Sequence, residues 1–401
     1  MSVLPLTGCG NPKGKGGSGT VYPPEIVKPK INVYIENSGS MDGYVKGVTE
    51  FEQIVYNYLS DINNKDITDT MNLFYINSEI LPQGQVTKNN MNVLTGFIAT
   101  LDPKTFNAKG GGRGTSDIAK VLDSVLQRTN ENTVSILVTD GIFSPGKGIK
   151  AAQYLPNQQI GIKNAFVGFC SKVKDAAVLV YQLSSQFNGT YYNKEDSPKQ
   201  IEEQRPFYIW VIGNEQSLKT LRNKIPDHTF IGKGVEHVFA IASGNKEVNY
   251  AIKPGSGVFH LDKTNPKTTI KDWKKNSKGG GTKLAQFSVN VDFSAFLQDD
   301  AYLPDTSNYD LNDKDFTLSI TKAASGSYTH SLNIQSPIIK KAALSIKLLS
   351  KVPTWVEDIN DDDGSAAVPG KTFGIKYQIN GLHEAFTLNG NHYTEIKIFI
   401  K

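Results

Sequence analysis

From Ile31 onward, short apolar runs alternate with stretches in which apolar residues recur three and four positions apart. Ile31-Asn32-Val33-Tyr34-Ile35 is β-branched and aromatic, the pattern of a strand buried on both faces. Thr49 then offers a helix cap, with Glu52 three residues on as the other half of a capping box. Phe51, Ile54, Val55, Tyr58, Leu59 and Ile62 follow on one helical face. The alternation continues with a strand over Met71 to Ile76, a helix carrying Ile118, Val121, Leu122, Val125 and Leu126, and a strand over Val134 to Val138. Ala176 to Leu183 and Phe207 to Ile212 read as further strands, the latter leading into a helix with Leu218, Leu221 and Ile225 aligned. Strands separated by helices predict an α/β fold, a doubly wound and mostly parallel sheet with helices on both faces.

After residue 229 the texture changes. Short alternating runs lie between turn signals: Val235 to Ile241, Phe287 to Val291, Phe316 to Ile320, Tyr328 to Ile334, Ala343 to Leu349, Phe373 to Ile379 and Thr394 to Ile400. This spacing predicts antiparallel β-sandwich material, one domain or two, with Lys271 to Lys283 as a long loop or a boundary. The expected division is a start and tether over 1–30, an α/β domain over 31–228 and a β-rich region over 229–401.

Composition narrows the classes. The 401 residues are 38% hydrophobic and 20% charged, ordinary for a folded protein, and the net charge of +4 gives no argument for a nucleic-acid partner. No stretch reaches the roughly 20 consecutive apolar residues of a spanning helix, so membrane attachment would need a lipid.

Three separated segments carry candidate chemistry. Glu36-Asn37-Ser38-Gly39-Ser40 follows the first strand, Thr115-Ser116-Asp117 follows a glycine-rich stretch, and Thr139-Asp140-Gly141 follows the strand ending at Val138. Short hydroxyl and carboxylate side chains interleaved with glycines suit a hard cation held by tightly bent loops. In α/β sheets, ligands collect at the carboxyl ends of strands, where two of these segments stand.

In order and type the three segments resemble the von Willebrand factor type A domain and its metal-ion-dependent adhesion site, over roughly residues 31–228. Ser38 and Ser40 match the family's Asp-x-Ser-x-Ser serines, and Asp140 matches its Thr-Asp-Gly carboxylate. Thr115 matches the family threonine by residue type, whereas counting back from Ile118 selects Ser116. Glu36 stands where the family has Asp, with an arm longer by one methylene; it either binds the ion directly or distorts the site, which Ca²⁺ tolerates better than Mg²⁺. The resemblance implies an ion (Mg²⁺, or Ca²⁺ or Mn²⁺) held by Glu36, Ser38, Ser40, Thr115 or Ser116, and Asp140. It also implies an open coordination position for an acidic side chain of a protein partner. Asp42, just past the motif, is expected to be a solvated loop residue.

Leu6-Thr7-Gly8-Cys9 resembles the bacterial lipoprotein signal-peptidase box, which implies acylation of Cys9. Only eight residues precede Cys9, with no Lys or Arg among them, and a Gly/Pro/Lys tether runs from Gly10 to Lys30. The absence of an acidic run after Cys9 points to the periplasmic face of an outer membrane. Cys170, within Ala165 to Cys170, reads as a small buried hydrophobe.

Catalytic patterns are weak. All six histidines follow residue 227, no paired-cysteine or His-x-x-x-His zinc spacing occurs, and no Gly-x-Ser-x-Gly elbow follows a strand. Neither glycine run, Gly14 to Gly19 or Gly110 to Gly114, has phosphate-loop spacing. Asp358 to Gly364 fails the EF-hand count and reads as a solvated turn, or less readily as a lone Ca²⁺ loop. The expected function is therefore a non-enzymatic, lipid-anchored, metal-dependent protein-binding or scaffold module of the bacterial envelope. The alternatives are a cytoplasmic domain of the same kind working beside a ring ATPase, and a metal-dependent hydrolase.

Overall fold

A computed structural model describes residues 28–114, 117–276, 284–323 and 326–401. Its first strand, β1 (Lys30–Glu36), is followed by α1 (Glu50–Asn64), β2 (Met71–Ile76), β3 (Ile80–Val86), α2 (Asn92–Ile98), α3 (Pro103–Ala108), α4 (Ile118–Gln127) and β4 (Thr133–Thr139). Then come α5 (Ala151–Lys172), β5 (Ala176–Tyr192), β6 (Pro198–Asn214), α6 (Glu215–Lys224) and β7 (His237–Ala242). These strands form one seven-stranded sheet in the order β3-β2-β1-β4-β6-β5-β7. The sheet is mixed: β2, β1 and β4 pair in parallel, while β3 on one side and β6, β5 and β7 on the other pair antiparallel.

Alternating side chains explain why both faces need cover. Along β4, Val134, Ile136 and Val138 enter one apolar core and Leu137 the opposite one. The first core is closed by α1, α2, α3 and α6 through Ile54, Val55, Leu94, Phe97, Phe106, Leu218 and Leu221. The second is closed by α4 and α5 through Val121, Leu122, Ile162 and Phe166. Thr49 caps α1 by accepting the Glu52 amide at 3.4 Å, as its spacing predicts.

The rest of the chain supplies β8 (Tyr250–Ile252), β9 (Val258–Leu261), β10 (Thr269–Lys274), β11 (Ala285–Val291), β12 (Tyr309–Leu311), β13 (Thr317–Lys322), β14 (His330–Ser336) and β15 (Ala342–Leu349). After these come α7 (Trp355–Asp358), β16 (Asn360–Asp361), β17 (Thr372–Phe373), α8 (Ile375–Phe386) and β18 (His392–Ile400). Sheets β13-β14-β11-β8 and β12-β15-β18-β10-β9 share one apolar core, in which Phe287, Val289, Leu332 and Ile334 meet Leu344, Ile346, Ile396 and Ile398. Every pairing in these two sheets is antiparallel except β10 with β18.

Two features extend the α/β layers past residue 228. β7 forms the edge of the seven-stranded sheet, and Val356 of α7 with Ile375, Ile379, Leu382 and Phe386 of α8 belongs to the second core. The strand expected over Phe373 to Ile379 is thus corrected to a two-residue strand and the first turn of a helix. The residues Phe-Gly-Ile-Lys-Tyr-Gln-Ile fit period two, but Ile375, Ile379, Leu382 and Phe386 fit period 3.6 over a longer window. Gly374, at φ 83°, lets the chain turn into α8 where a Cβ would meet the Phe143 ring at 2.4 Å. Gly381 serves a second close approach, since a Cβ there would lie 2.6 Å from the Gln159 carbonyl of α5.

The Asp358 to Gly364 segment forms a turn. Asp361 accepts the amides of Asp363 at 2.9 Å and Gly364 at 3.1 Å, while Asp362 pairs with Lys376 and Asp363 with Lys194. No helix among the described residues is long and apolar enough to cross a membrane.

Candidate metal centre

The strand order places the candidate residues. From β1 the chain moves through α1 to β2 and β3 on one side, then returns to β4 on the other side of β1. The carboxyl ends of β1 and β4 therefore flank the point where strand order reverses, the usual ligand crevice of such sheets. Glu36 ends β1 and Thr139 ends β4, and the Thr139 hydroxyl donates to Glu36 Oε2.

Past Glu36 the chain bends into a 3-10 turn, Gly39–Tyr44, which brings the Ser38 and Ser40 hydroxyls within 3.0 Å of each other. Past Thr139 the chain bends at Gly141, at φ 66°, a backbone region that favours glycine. The Thr139 hydroxyl accepts the Gly141 amide at 2.9 Å and Asp140 Oδ1 accepts the Ile142 amide at 3.1 Å. Glu36, Ser38 and Asp140 are buried, and Ser40 is half-buried toward solvent.

Asp140 Oδ2 is buried and has no hydrogen-bond partner. Burial, and then the charge of Glu36, push the Asp140 carboxyl up to about 7, while the nearby Ser40 hydroxyl, the Ile142 amide and Arg205 act in the opposite direction. A buried carboxylate oxygen without a donor is costly, and a cation is one way to relieve it. Two carboxylates and two hydroxyls form a hard-donor set that fits Mg²⁺, Mn²⁺ or Ca²⁺. Among the described residues no three His, Cys, Asp or Glu side chains cluster to hold a metal, so any ion here depends on hydroxyls.

Thr115 and Ser116 lie outside the described residues, as does Cys9. The glycine-rich loop before Thr115 does reach the site. Arg113 Nε donates to the Asn37 carbonyl at 2.7 Å and Nη2 to the Ser38 carbonyl at 3.3 Å, while the Arg113 carbonyl accepts the Gly39 amide at 3.0 Å. Asp42, expected in solvent, is instead half-buried and paired with Arg113. Asn77, at the end of β2, donates to Asn37 Oδ1 at 3.0 Å and to the Gly110 carbonyl at 3.1 Å, tying three loop ends together.

Sequence reasoning missed Arg113, Asn77, Arg205 and Gln378. Arg113 stands in a glycine run that signals a loop, but its target is set by tertiary structure. Arg205 is 2% exposed, bonded to Glu203 at 2.9 Å and the Lys371 carbonyl at 3.0 Å, and lies 4.9 Å over the Tyr191 ring. Gln378 of α8 donates to the Gly141 carbonyl at 2.5 Å.

The long hairpin of β5 and β6 passes beside the serine loop, where a Cβ on Gly39 would lie 3.5 Å from the Tyr192 ring. A separate cleft of about 940 Å³ lies elsewhere, lined by His237, Tyr302, Lys351 and Trp355, with the His237 and Trp355 rings stacked 4.9 Å apart. Comparison with protein-family models, curated proteins and solved structures finds no match to this chain.

Proposed function

We propose that this chain is a metal-dependent protein-binding module of the von Willebrand factor A kind, in which Glu36, Ser38, Ser40 and Asp140 hold a divalent cation. Thr115 or Ser116 completes the ligand set. The observation that carries the reading is Asp140 Oδ2, a buried oxygen without a donor at the strand-order reversal, with Ser40 and Glu36 close enough to affect its protonation. The bound cation would supply a Lewis-acidic position for a partner's Asp or Glu carboxylate, and this chain's residues set how open that position is. An oxygen donor suits the open position of such a hard ion, and a partner's Asp or Glu carboxylate is the donor proposed for it. Ser40 is half-buried, whereas Glu36, Ser38 and Asp140 are buried.

The proposal includes Cys9 as a lipid anchor at the bacterial envelope, with the Gly/Pro-rich stretch between Cys9 and Lys28 as tether. Mass spectrometry of the native protein tests the anchor: an unmodified Met1 on the mature chain would end it. Calorimetry with Mg²⁺, Mn²⁺ and Ca²⁺, using a Ser40→Ala/Asp140→Ala variant as control, tests the site. Binding by the parent and none by the variant supports it, and no binding by the parent refutes it. A pull-down with and without chelator then tests the partner, whose capture must depend on the ion.

A further inference from the structure

We infer that Gln378 is a positioning residue for the metal-binding turn, contributed by a helix 237 residues further along the chain. This rests on the reading of Asp140 as an ion ligand. The turn after β4 satisfies its own amides: Thr139 accepts from Gly141 and Asp140 accepts from Ile142. Its outward carbonyl, on Gly141, is held from another element, and that hold is the Gln378 side-chain amide at 2.5 Å.

Gln378 is an unexpected residue at this place. It is fully buried on the side of α8 that carries Ile375, Ile379 and Leu382 into the second core, where an apolar side chain would be the ordinary choice. A buried amide costs free energy unless it is bonded, and here Nε2 is bonded while Oε1 has no partner. Which end of the amide faces Gly141 is dictated by chemistry, because a carbonyl only accepts. Gly141 itself leaves no room to swing: a Cβ there would lie 3.2 Å from the Tyr208 ring and 3.6 Å from Gln378 Nε2. The neighbouring Tyr208 hydroxyl donates to Thr372 Oγ1 at 2.9 Å, so the segment leading into α8 is fixed to the same sheet end. With Gly141 O fixed, the Gly141–Ile142 peptide has one orientation, its Ile142 amide holds Asp140 Oδ1, and Oδ2 is left for the ion.

The test compares the parent chain with Gln378→Met, which keeps length and volume but removes the donor. Mg²⁺ and Mn²⁺ affinities are measured by calorimetry, and Tm is measured in chelator. The expected result is an affinity about tenfold weaker with Tm in chelator within about 3 °C of the parent, because a turn that has lost one hydrogen bond stays folded but no longer holds the orientation the ion needs. Gln378→Leu serves as a second variant, and hydrogen exchange of residues 139–142 in chelator must rise in both. Parent-like affinity in a folded Gln378→Met chain overturns this inference and leaves the metal site standing. A fall in affinity matched by an equal collapse of Tm in both variants assigns Gln378 to packing and also overturns it. A parent chain that binds neither ion overturns both the inference and the reading on which it rests.

Discussion

Arg113 is bound to Asp42 through an ion pair whose other contacts are the Asn37 and Ser38 carbonyls, so one guanidinium fastens the whole serine loop to the glycine-rich loop. Burial pushes the Asp42 carboxyl above its ordinary value and Arg113 opposes that push, so removing Arg113 leaves a poorly solvated acid behind. Arg113→Ala is expected to destabilise the chain by about 2–3 kcal/mol, with a smaller effect for Asp42→Asn. Urea midpoints of the two variants check the order, and equal midpoints would refute the clamp.

Asp140 gives stability a slope with pH. Its carboxyl titrates near 7 in the folded chain against an ordinary value of 3.8. Between those values the folded chain keeps a proton that the unfolded chain has released, so stability falls as pH rises through that window and the loss is complete above it. In chelator, the parent should therefore show a lower urea midpoint at pH 8 than at pH 5, and Asp140→Asn should flatten much of that difference. Mg²⁺ should raise the midpoint more at pH 8 than at pH 5.

Asp140→Asn separates the two roles of the carboxylate. Without metal at pH 8 it relieves a buried charge, so Tm in chelator should rise by about 2–6 °C. With metal it removes a ligand, so the gain in Tm on adding Mg²⁺ should vanish. Thermal scans with and without Mg²⁺ check both, and a retained Mg²⁺ gain would remove Asp140 from the ligand set.

Gly43 and Gly189 allow the serine loop and the β5–β6 hairpin to touch. A Cβ on Gly43 would lie 2.4 Å from the Phe187 ring, and one on Gly189 would lie 2.6 Å from Gly43 Cα. Gly189→Ala should cost about 1–3 kcal/mol through overpacking and should weaken ion affinity with it, because the displaced neighbour carries Ser40. Chemical denaturation and calorimetry on one preparation measure both quantities.

Much of the sheet was legible because apolar periodicity is local: β1, β2, β4, α1 and α4 lie where their apolar spacing puts them. The convergence of Glu36 with Asp140's turn was legible too, since both follow strands whose ends a parallel pairing brings together. α5 was missed because Pro156, Gly161 and Gly168 read as breakers within a helix that tertiary packing sustains. α8 was missed because its first residues satisfy both periods. Gln378 carries no local signal, since its partner lies 237 positions away, and the Glu203 next to Arg205 gives no hint of the distant Lys371 carbonyl that the same guanidinium reaches.

The placement of α8 also sets an order of events during synthesis. The cover that α4 and α5 give the second core of the seven-stranded sheet is completed by Ile375, Ile379, Leu382 and Phe386, although the strands are complete by Ala242. A nascent chain therefore carries a second face covered by α4 and α5 but still missing α7 and α8 while the ribosome translates well over a hundred further residues. Chaperone binding would concentrate in that interval, and a stop codon placed before residue 375 would release a sticky fragment rather than a shorter working domain.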